Sequence, residues 1–356
     1  MARIMIMAGG TGGHVFPALA VAQELRARGW EVKWMGTPDS FESRTVPAAG
    51  FDLETVQAHR LRGQGAAGLL LAPFRLLHAV GQAWRVLRRV RPDVVLGMGG
   101  FVTAPGGIAS WLRHTPLVIH EQNTIPGMAN RLLSHLARRV LEAFPGSFPP
   151  GTGAVVTGNP VRREILEVEA PETRMAGRGE TRRILVLGGS LGAQALNEIV
   201  PQALGSLDLP LEIRHQAGRG KAETARNLYA EHGLDARVSE FIDDMAEAYS
   251  WADLVICRAG ALTVSELAAV GVGAILVPYP HAVDDHQTAN ARYLVEGGAA
   301  RLMPQSEMDA PRLGAMLQGL LSDREGLLEM ARAARRLGRP GATRQVADHC
   351  VECSRS

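Results

Sequence analysis

The chain has 356 residues, 46% of them hydrophobic and 21% charged, and a formal net charge of +2. Such a composition excludes a disordered or collagen-like polymer and suits a globular protein large enough for two domains. Three cysteines, Cys257, Cys350 and Cys353, cannot build a disulfide framework, which points to a reducing cytoplasm. No apolar stretch approaches the ~20 residues that cross a bilayer, and the N-terminus does not read as a signal peptide. The CxxC spacing of Cys350 and Cys353 has no second ligand pair, so a free, inert pair is expected rather than a metal site.

In chain order, apolar strand-like runs alternate with segments of helical spacing. The first half offers strands at Ile4–Ala8, Val32–Met35, Val94–Gly97, Leu117–His120, Val140–Ala143 and Val155–Thr157, with helices between them at Ala18–Arg28, Arg75–Val90 and Met128–Leu136. Apolar strands separated by helices predict a parallel sheet covered on both faces. The polar stretch from Glu167 to Arg182 reads as a linker or exposed excursion. The second half repeats the plan, with strands at Leu211–His215, Leu254–Cys257, Ala274–Val277 and Ala300–Met303. Its opening "RILVLGGSLGA" lies over the first motif without gaps, Gly9 on Gly188, Gly10 on Gly189, Thr11 on Ser190 and Gly13 on Gly192. The fold class expected is therefore α/β, two Rossmann-like doubly wound domains facing a cleft. Residues 1–160 with 338–356 form one, and 161–337 the other. The final helix, past the break at Gly338-Arg-Pro340-Gly341, is expected to cross back to the first domain.

The glycine loops after the first strand of each half suit a phosphate compound, because strand, glycine turn and helix in that order present free N–H groups. Neither loop has GxGxxG spacing, and the second strand ends Trp34-Met35-Gly36 with no acidic partner for a ribose. No GK[ST] follows either loop. A dinucleotide cofactor and a P-loop are thus both disfavoured. A third segment, "ADLVICRAGALTVSELAAVG", places a helix start near Ala261-Leu262-Thr263, suited to a diphosphate, with Glu266 one turn further in and able to accept from a ribose cis-diol. "VPYPHAVDDHQTANARYL" gathers His281, Asp284, Asp285, His286 and Gln287 in an order that fits no common metal site, and no DxD pair occurs. "HEQN", His120 to Asn123, ends a strand with a carboxylate and amides.

The segments "GGTGGHVFPALA", "GMGGFVTAPGG", "HEQN", "GNPVR", "GGSLGA", "EFIDDM", "AGALTVSELA" and "PHAVDDHQTANA" occur in this order. Together they resemble the MurG family of peptidoglycan N-acetylglucosaminyltransferases over residues 8 to about 297. The resemblance implies a GT-B fold, no tightly bound cofactor, and no nucleic acid among the partners. It implies a C-terminal domain holding UDP-N-acetylglucosamine and an N-terminal domain taking a lipid-linked acceptor, lipid I, to give lipid II with inversion. Carried over by motif, substrate would be bound by Ala261, Leu262, Thr263, Val264, Ser265, Glu266, Gln287, Ile242, Ser190 and Arg162. Thr11, Gly12, Gly13 and Asn123 would close over the donor from the first domain. Inversion in one displacement needs a general base and no covalent nucleophile, and both His14 and Glu121 are candidates. The rivals are an epimerase of UDP-N-acetylglucosamine, which shares the architecture, a transferase acting on another lipid, and a non-catalytic nucleotide-sugar sensor.

One stretch is unusually charged. Between Glu54 and Asp93 lie seven arginines (Arg60, Arg62, Arg75, Arg85, Arg88, Arg89 and Arg91) and no carboxylate. Leu70, Phe74, Leu77, Gly81 and Trp84 recur there at helical spacing. We expect this face, through Phe74, Arg75, Trp84, Arg85, Arg88 and Arg89, to rest on the anionic cytoplasmic surface of the cell membrane as a peripheral attachment. The alternative is a stripe packed wholly on the sheet beneath a solvated row of arginines.

Overall fold

The computed structural model describes residues 1–58, 66–189 and 192–355, with the backbone alone at 66–70 and 283. Arg60, Arg62 and Ser190 lie outside the described residues. Two compact units are present, Met1–Arg162 with Pro340–Ser356, and Arg163–Arg339.

Unit 1 begins with β1 (Arg3–Met7), α1 (Gly12–Ala27), β2 (Glu31–Gly36), α2 (Phe41–Ala48), β3 (Asp52–Thr55) and α3 (Ala66–Val90). It continues with β4 (Val94–Gly97), α4 (Thr103–Leu112), β5 (Leu117–Glu121), α5 (Met128–Leu133), β6 (Arg139–Glu142) and β7 (Val155–Val156). The sheet order is β3-β2-β1-β4-β5-β6-β7, and the pairings are parallel. Side-chain alternation along β1 sorts the core into two layers. Ile4 and Ile6 pack with Val15, Leu19, Ala22 and Leu25 of α1. Met5 and Met7 pack with Ala83, Leu87 and Val90 of α3 and Ala109 of α4.

Unit 2 runs α6 (Arg163–Leu166), α7 (Pro171–Met175), β8 (Arg182–Leu187), α8 (Gln194–Gly205), β9 (Leu211–Gln216), α9 (Ala222–Glu231), β10 (Ala236–Ser239) and α10 (Met245–Trp251). Then come β11 (Leu254–Cys257), α11 (Ala261–Val270), β12 (Gly273–Leu276), α12 (His286–Glu296), β13 (Ala300–Leu302), α13 (Ala310–Ser322) and α14 (Arg324–Leu337). Its sheet, β10-β9-β8-β11-β12-β13, is also parallel. The last helix, α15 (Ala342–Ser354), belongs to unit 1. Val346, Ala347, Cys350 and Cys353 lie on one face of it and join the layer around Ile4 and Ile6. Burial pushes both thiols above their ordinary pKa, and the CxxC pair is core packing.

Several expectations are corrected. Helix α1 starts at Gly12 rather than at the expected Ala18, so Pro17 sits inside it. Helix α8 starts only at Gln194, so Gly192, at φ +71, precedes its helix, whereas Gly13 lies within α1. Strands β3 and β10 escape the sequence pattern because they are sheet-edge strands without an apolar run (DLET and ARVS). The stretch from Glu167 to Arg182 is not an exposed excursion. Pro171, Arg174 and Met175 are buried, and Arg174 donates to the carbonyls of Tyr249, Ala252 and Gly271. A composition that reads as linker thus satisfies the backbone ends of three other segments.

Candidate active site

In an open parallel sheet, ligands gather beyond the strand carboxyl ends where strand order reverses. In unit 1 that point lies between β1 and β4. The loops that follow these strands touch there. Gly9 N donates to Gly99 O (3.2 Å) and Met98 N to Met7 O (2.8 Å). Gly100 has φ +91, and a Cβ on it would lie 2.4 Å from Gly9 O, so only glycine permits this approach. Gly99 does the same for a side chain. A Cβ there would stand 2.6 Å from His14 Nδ1. Thr11 occupies the N-cap of α1 without a side-chain cap, and the first turn of that helix carries Gly12, Gly13 and His14. The N–H groups of Gly12 and Gly13 have no partner within the helix, whereas His14 N donates to Thr11 O (3.1 Å).

Strand β5 delivers "HEQN" to the same end of the sheet. His14 Nδ1 lies 2.8 Å from Gln122 Oε1. Glu121 is 2% exposed, and both its oxygens are engaged. Oε1 accepts from Asn123 N (2.9 Å) and Asn123 Nδ2 (3.2 Å), and Oε2 from Gly127 N (3.1 Å) and Asn130 Nδ2 (2.9 Å). Of the two candidate bases, Glu121 is built into its own loop. His14 stands half-buried, with one ring nitrogen held. Asn123 turns its side-chain amide toward Glu121, and its backbone carbonyl accepts from Ser147 Oγ at 3.0 Å.

Unit 2 places its reversal between β8 and β11. Helix α11 follows β11 directly, and its N-cap is Gly260, which has no side chain to cap it. The first intrahelical bond of the turn is Val264 N to Gly260 O (2.9 Å), leaving the N–H groups of Ala261, Leu262 and Thr263 directed out of the helix end. Val264 packs inward at this turn. Its side chain is fully buried and its N–H is spent, so it belongs to the core. Ser265 Oγ donates back to Ala261 O at 2.8 Å. Glu266, 4% exposed, accepts from the hydroxyl of buried Tyr249 on α10 (3.1 Å). Gln287 Oε1 accepts from Tyr279 N (2.9 Å), which leaves its amide nitrogen as the donor it can offer elsewhere. Ile242 is half-buried in the loop between β10 and α10. Arg162 ends unit 1, with its guanidinium 5.4 Å from the centroid of Phe16.

On α3 the buried face is Ala79, Val80, Ala83, Val86, Leu87 and Val90. The expected stripe divides: Trp84 packs against that core layer, and Phe74 and Leu77 do not. Phe74 and Leu77 are 70% and 67% exposed, and Leu71 is exposed with them. Trp84 is half-buried, with Arg88 and Arg113 each 5.6 Å from its ring. Arg85 and Arg88 are exposed, and Arg89 pairs with Glu54. Among the described residues, no helix is long and apolar enough to cross a membrane.

The model of the glycosyltransferase family 28 N-terminal domain matches residues 4–142, and that of the C-terminal domain matches 183–348. An Aeromonas hydrophila protein is 54% identical over 347 residues, 98% of this chain and 96% of its own. Its name is UDP-N-acetylglucosamine--N-acetylmuramyl-(pentapeptide) pyrophosphoryl-undecaprenol N-acetylglucosamine transferase. A Marinobacter nauticus protein of the same name is 55% identical over 355 residues, 99% and 98% of the two chains. The crystal structure of Acinetobacter baumannii MurG has a TM-score of 0.87 at 43% identity, covering 99% of this chain and 100% of its own. The chain belongs to the MurG family of glycosyltransferases. Its two doubly wound domains are those of the GT-B class.

Within this MurG-family chain, sequence reasoning missed the groups that hold the loops. Glu42, fully buried on α2, accepts from Gly10 N (2.9 Å), Thr37 N (3.0 Å) and Thr37 Oγ1 (2.7 Å). Glu142 does the same for Gly146 N and Phe148 N, both at 3.0 Å. The only signal for Glu42 was an acidic residue in a helix's first turn, which reads as an ordinary dipole preference. Tyr249 gave no signal at all.

Glu42 yields a pH test. Burial raises its carboxyl, but the hydrogen bonds from Thr37 and Gly10 outweigh that, and its pKa lies below the ordinary value. The ionised form therefore favours the fold, fully so above the ordinary carboxylate range and progressively less as pH falls through the lowered folded value. Glu42→Gln should cost about 1.5–3 kcal/mol at pH 7. Urea unfolding across a pH series should show the gap to wild type closing in acid, and a gap constant with pH would contradict the assignment.

Proposed function

We infer that this chain transfers N-acetylglucosamine from UDP-N-acetylglucosamine to lipid I, giving lipid II, with inversion at the anomeric carbon. The observation that carries the reading is identity of 54% and 55% along essentially the whole chain to enzymes named for that transfer. An epimerase would have no use for an acceptor side, and here the first glycine loop, "HEQN" and the glycines after β4 meet around one histidine.

The chemistry asks for deprotonation of the acceptor hydroxyl, attack of its oxygen on the anomeric carbon, and departure of UDP. We assign the proton to His14 Nε2, because Glu121 has both oxygens engaged by four donors from the loop that follows it and from α5. The bond to the β-phosphate oxygen breaks as the new glycosidic bond forms. Negative charge gathering on the diphosphate is met by the N–H groups of Ala261, Leu262 and Thr263 and the positive end of α11.

Glu266 receives the ribose diol, with Tyr249 fixing its carboxylate. Gln287 Nε2 donates to the sugar, and the backbone at Ile242 meets uracil. Arg162, Ser190 and Ser265 remain assigned to the donor by motif alone. In this reading unit 2 is the donor domain. Unit 1 takes the acceptor, its diphosphate near Thr11, Gly12 and Gly13, with Asn123 in the same loop cluster.

The assay is transfer of labelled N-acetylglucosamine to lipid I, and a wild-type protein that yields no lipid-linked disaccharide refutes the reading. In that assay, His14→Ala should lower kcat by about 10²–10⁴ with donor affinity little changed. Glu266→Ala should instead weaken UDP binding by about 1.5–3 kcal/mol in calorimetry. A fully active His14→Ala enzyme would end its assignment as base, and unchanged UDP affinity would remove Glu266 from the donor site.

We further propose that unit 1 rests on the anionic cytoplasmic face of the cell membrane through α3. Exposed Leu71, Phe74 and Leu77 lie at three-residue spacing beside Arg75, and Arg85 and Arg88 extend the basic face. Trp84, half-buried between two guanidiniums, supports these residues more than it inserts. Each arginine near an anionic leaflet contributes about 1 kcal/mol, enough in combination for salt-sensitive, reversible attachment. Replacing Arg75, Arg85, Arg88 and Arg89 by glutamine should abolish cosedimentation with anionic vesicles and leave UDP affinity intact. Cosedimentation at the wild-type level would place the docking face elsewhere.

A further inference from the structure

His14 is one end of a chain of hydrogen bonds that closes on a backbone carbonyl. His120 Nε2 lies 3.0 Å from Gly158 O. A carbonyl only accepts, so Nε2 must carry a proton. The ring is fully buried, and burial lowers its pKa to about 4, against weaker raising effects from Gly158 and Glu121. At neutral pH His120 is therefore uncharged and its Nδ1 is a lone pair. Gln122 Nε2 is 3.1 Å from that Nδ1 and 3.1 Å from His120 O, two acceptors that together fix the amide's orientation. Its oxygen is thereby turned to His14, where it accepts from Nδ1 at 2.8 Å. The proton of neutral His14 must then sit on Nδ1.

We propose that Gln122 and His120 are positioning residues for the transfer, locking His14 in the tautomer whose Nε2 is the bare, basic nitrogen. An imidazole without such a partner can carry its proton on either nitrogen, and only one of the two forms can accept through Nε2. No carboxylate holds His14 in this way. A neutral amide takes that place, and its own direction is set by carbonyls of residues 120 and 158. The proposal also gives four motifs one purpose. "GGTGGH" brings the base, "GMGG" makes room for its ring, "HEQN" supplies the two relay side chains, and "GNP" provides the carbonyl that starts the relay. Gly158 is itself at φ +84, and its carbonyl also accepts from Thr157 Oγ1 at 3.0 Å.

The inference rests on His14 being the base, and its test is kept separate from that reading. In full-length protein labelled with [¹⁵N]histidine, long-range ¹H–¹⁵N correlation at neutral pH reads the tautomer of each ring. The His14→Ala spectrum assigns the His14 signals. The expected result is Nδ1–H for His14 and Nε2–H for His120. Nε2–H at His14 overturns the relay whatever the activity of His14→Ala proves to be. Gln122→Met keeps the side chain's bulk and removes both relay bonds. It should populate the second tautomer of His14 and lower kcat by about 10- to 100-fold, part of what a general base supplies, with KM for UDP-N-acetylglucosamine within about two-fold of wild type. A folded Gln122→Met enzyme with wild-type kcat overturns the proposal as well.

Discussion

The hydrogen bond between His14 and Gln122 joins residues 108 positions apart in sequence, and the loops at the carboxyl end of the unit 1 sheet are arranged around it. Its geometry depends on two loops held at the carboxyl end of one sheet, where several backbone N–H groups find no carbonyl and turn to side chains. Buried carboxylates answer that imbalance. Glu42 takes the N–H groups of Gly10 and Thr37, Glu121 those of Asn123 and Gly127, and Glu142 those of Gly146 and Phe148. An ionised carboxylate accepting several N–H bonds is among the stronger local constraints a protein can build. It fixes loops that have no hydrophobic core of their own.

The two units solve different problems with the same fold. On the proposed reading, the charge to be met in unit 2 is a diphosphate, and the uncapped start of α11 offers backbone N–H groups for it, with Glu266 and its partner Tyr249 beside them. On the same reading, the task in unit 1 is a proton transfer, which backbone cannot perform, and side chains that follow β1 and β5 must converge. The glycines of unit 1 follow from that convergence. Gly99 and Gly100 have no side chain because a ring and a backbone carbonyl occupy the space.

The legible part of the sequence was whatever periodicity or backbone chemistry writes down. Apolar runs at β1, β4, β5, β8, β11 and β12 gave a parallel sheet in each half, and glycine loops marked the strand ends. The edge strands β3 and β10 were not legible, because an edge strand with one neighbour needs no apolar run. Charge was misleading between Glu167 and Arg182. Arg174 is buried there, and its guanidinium closes carbonyls from distant segments, a role no local pattern reveals. In the candidate site, the motifs named the residues assigned here, but they did not choose between His14 and Glu121. That choice depends on which donors surround a carboxylate, and those donors come from Asn123, Gly127 and Asn130 only once the loop is folded.

The central claim is a single displacement driven by one base, with no covalent sugar–enzyme intermediate. The donor sugar is α-linked to UDP, so the claim fixes the stereochemistry of the product. The ¹H NMR spectrum of the disaccharide released from the lipid product reads it directly through the anomeric coupling of the transferred residue. The account predicts the large coupling of a β-linked N-acetylglucosamine. A small coupling, marking an α linkage and retention, would contradict it, because retention in two displacements requires a protein nucleophile and leaves His14 without the role assigned here.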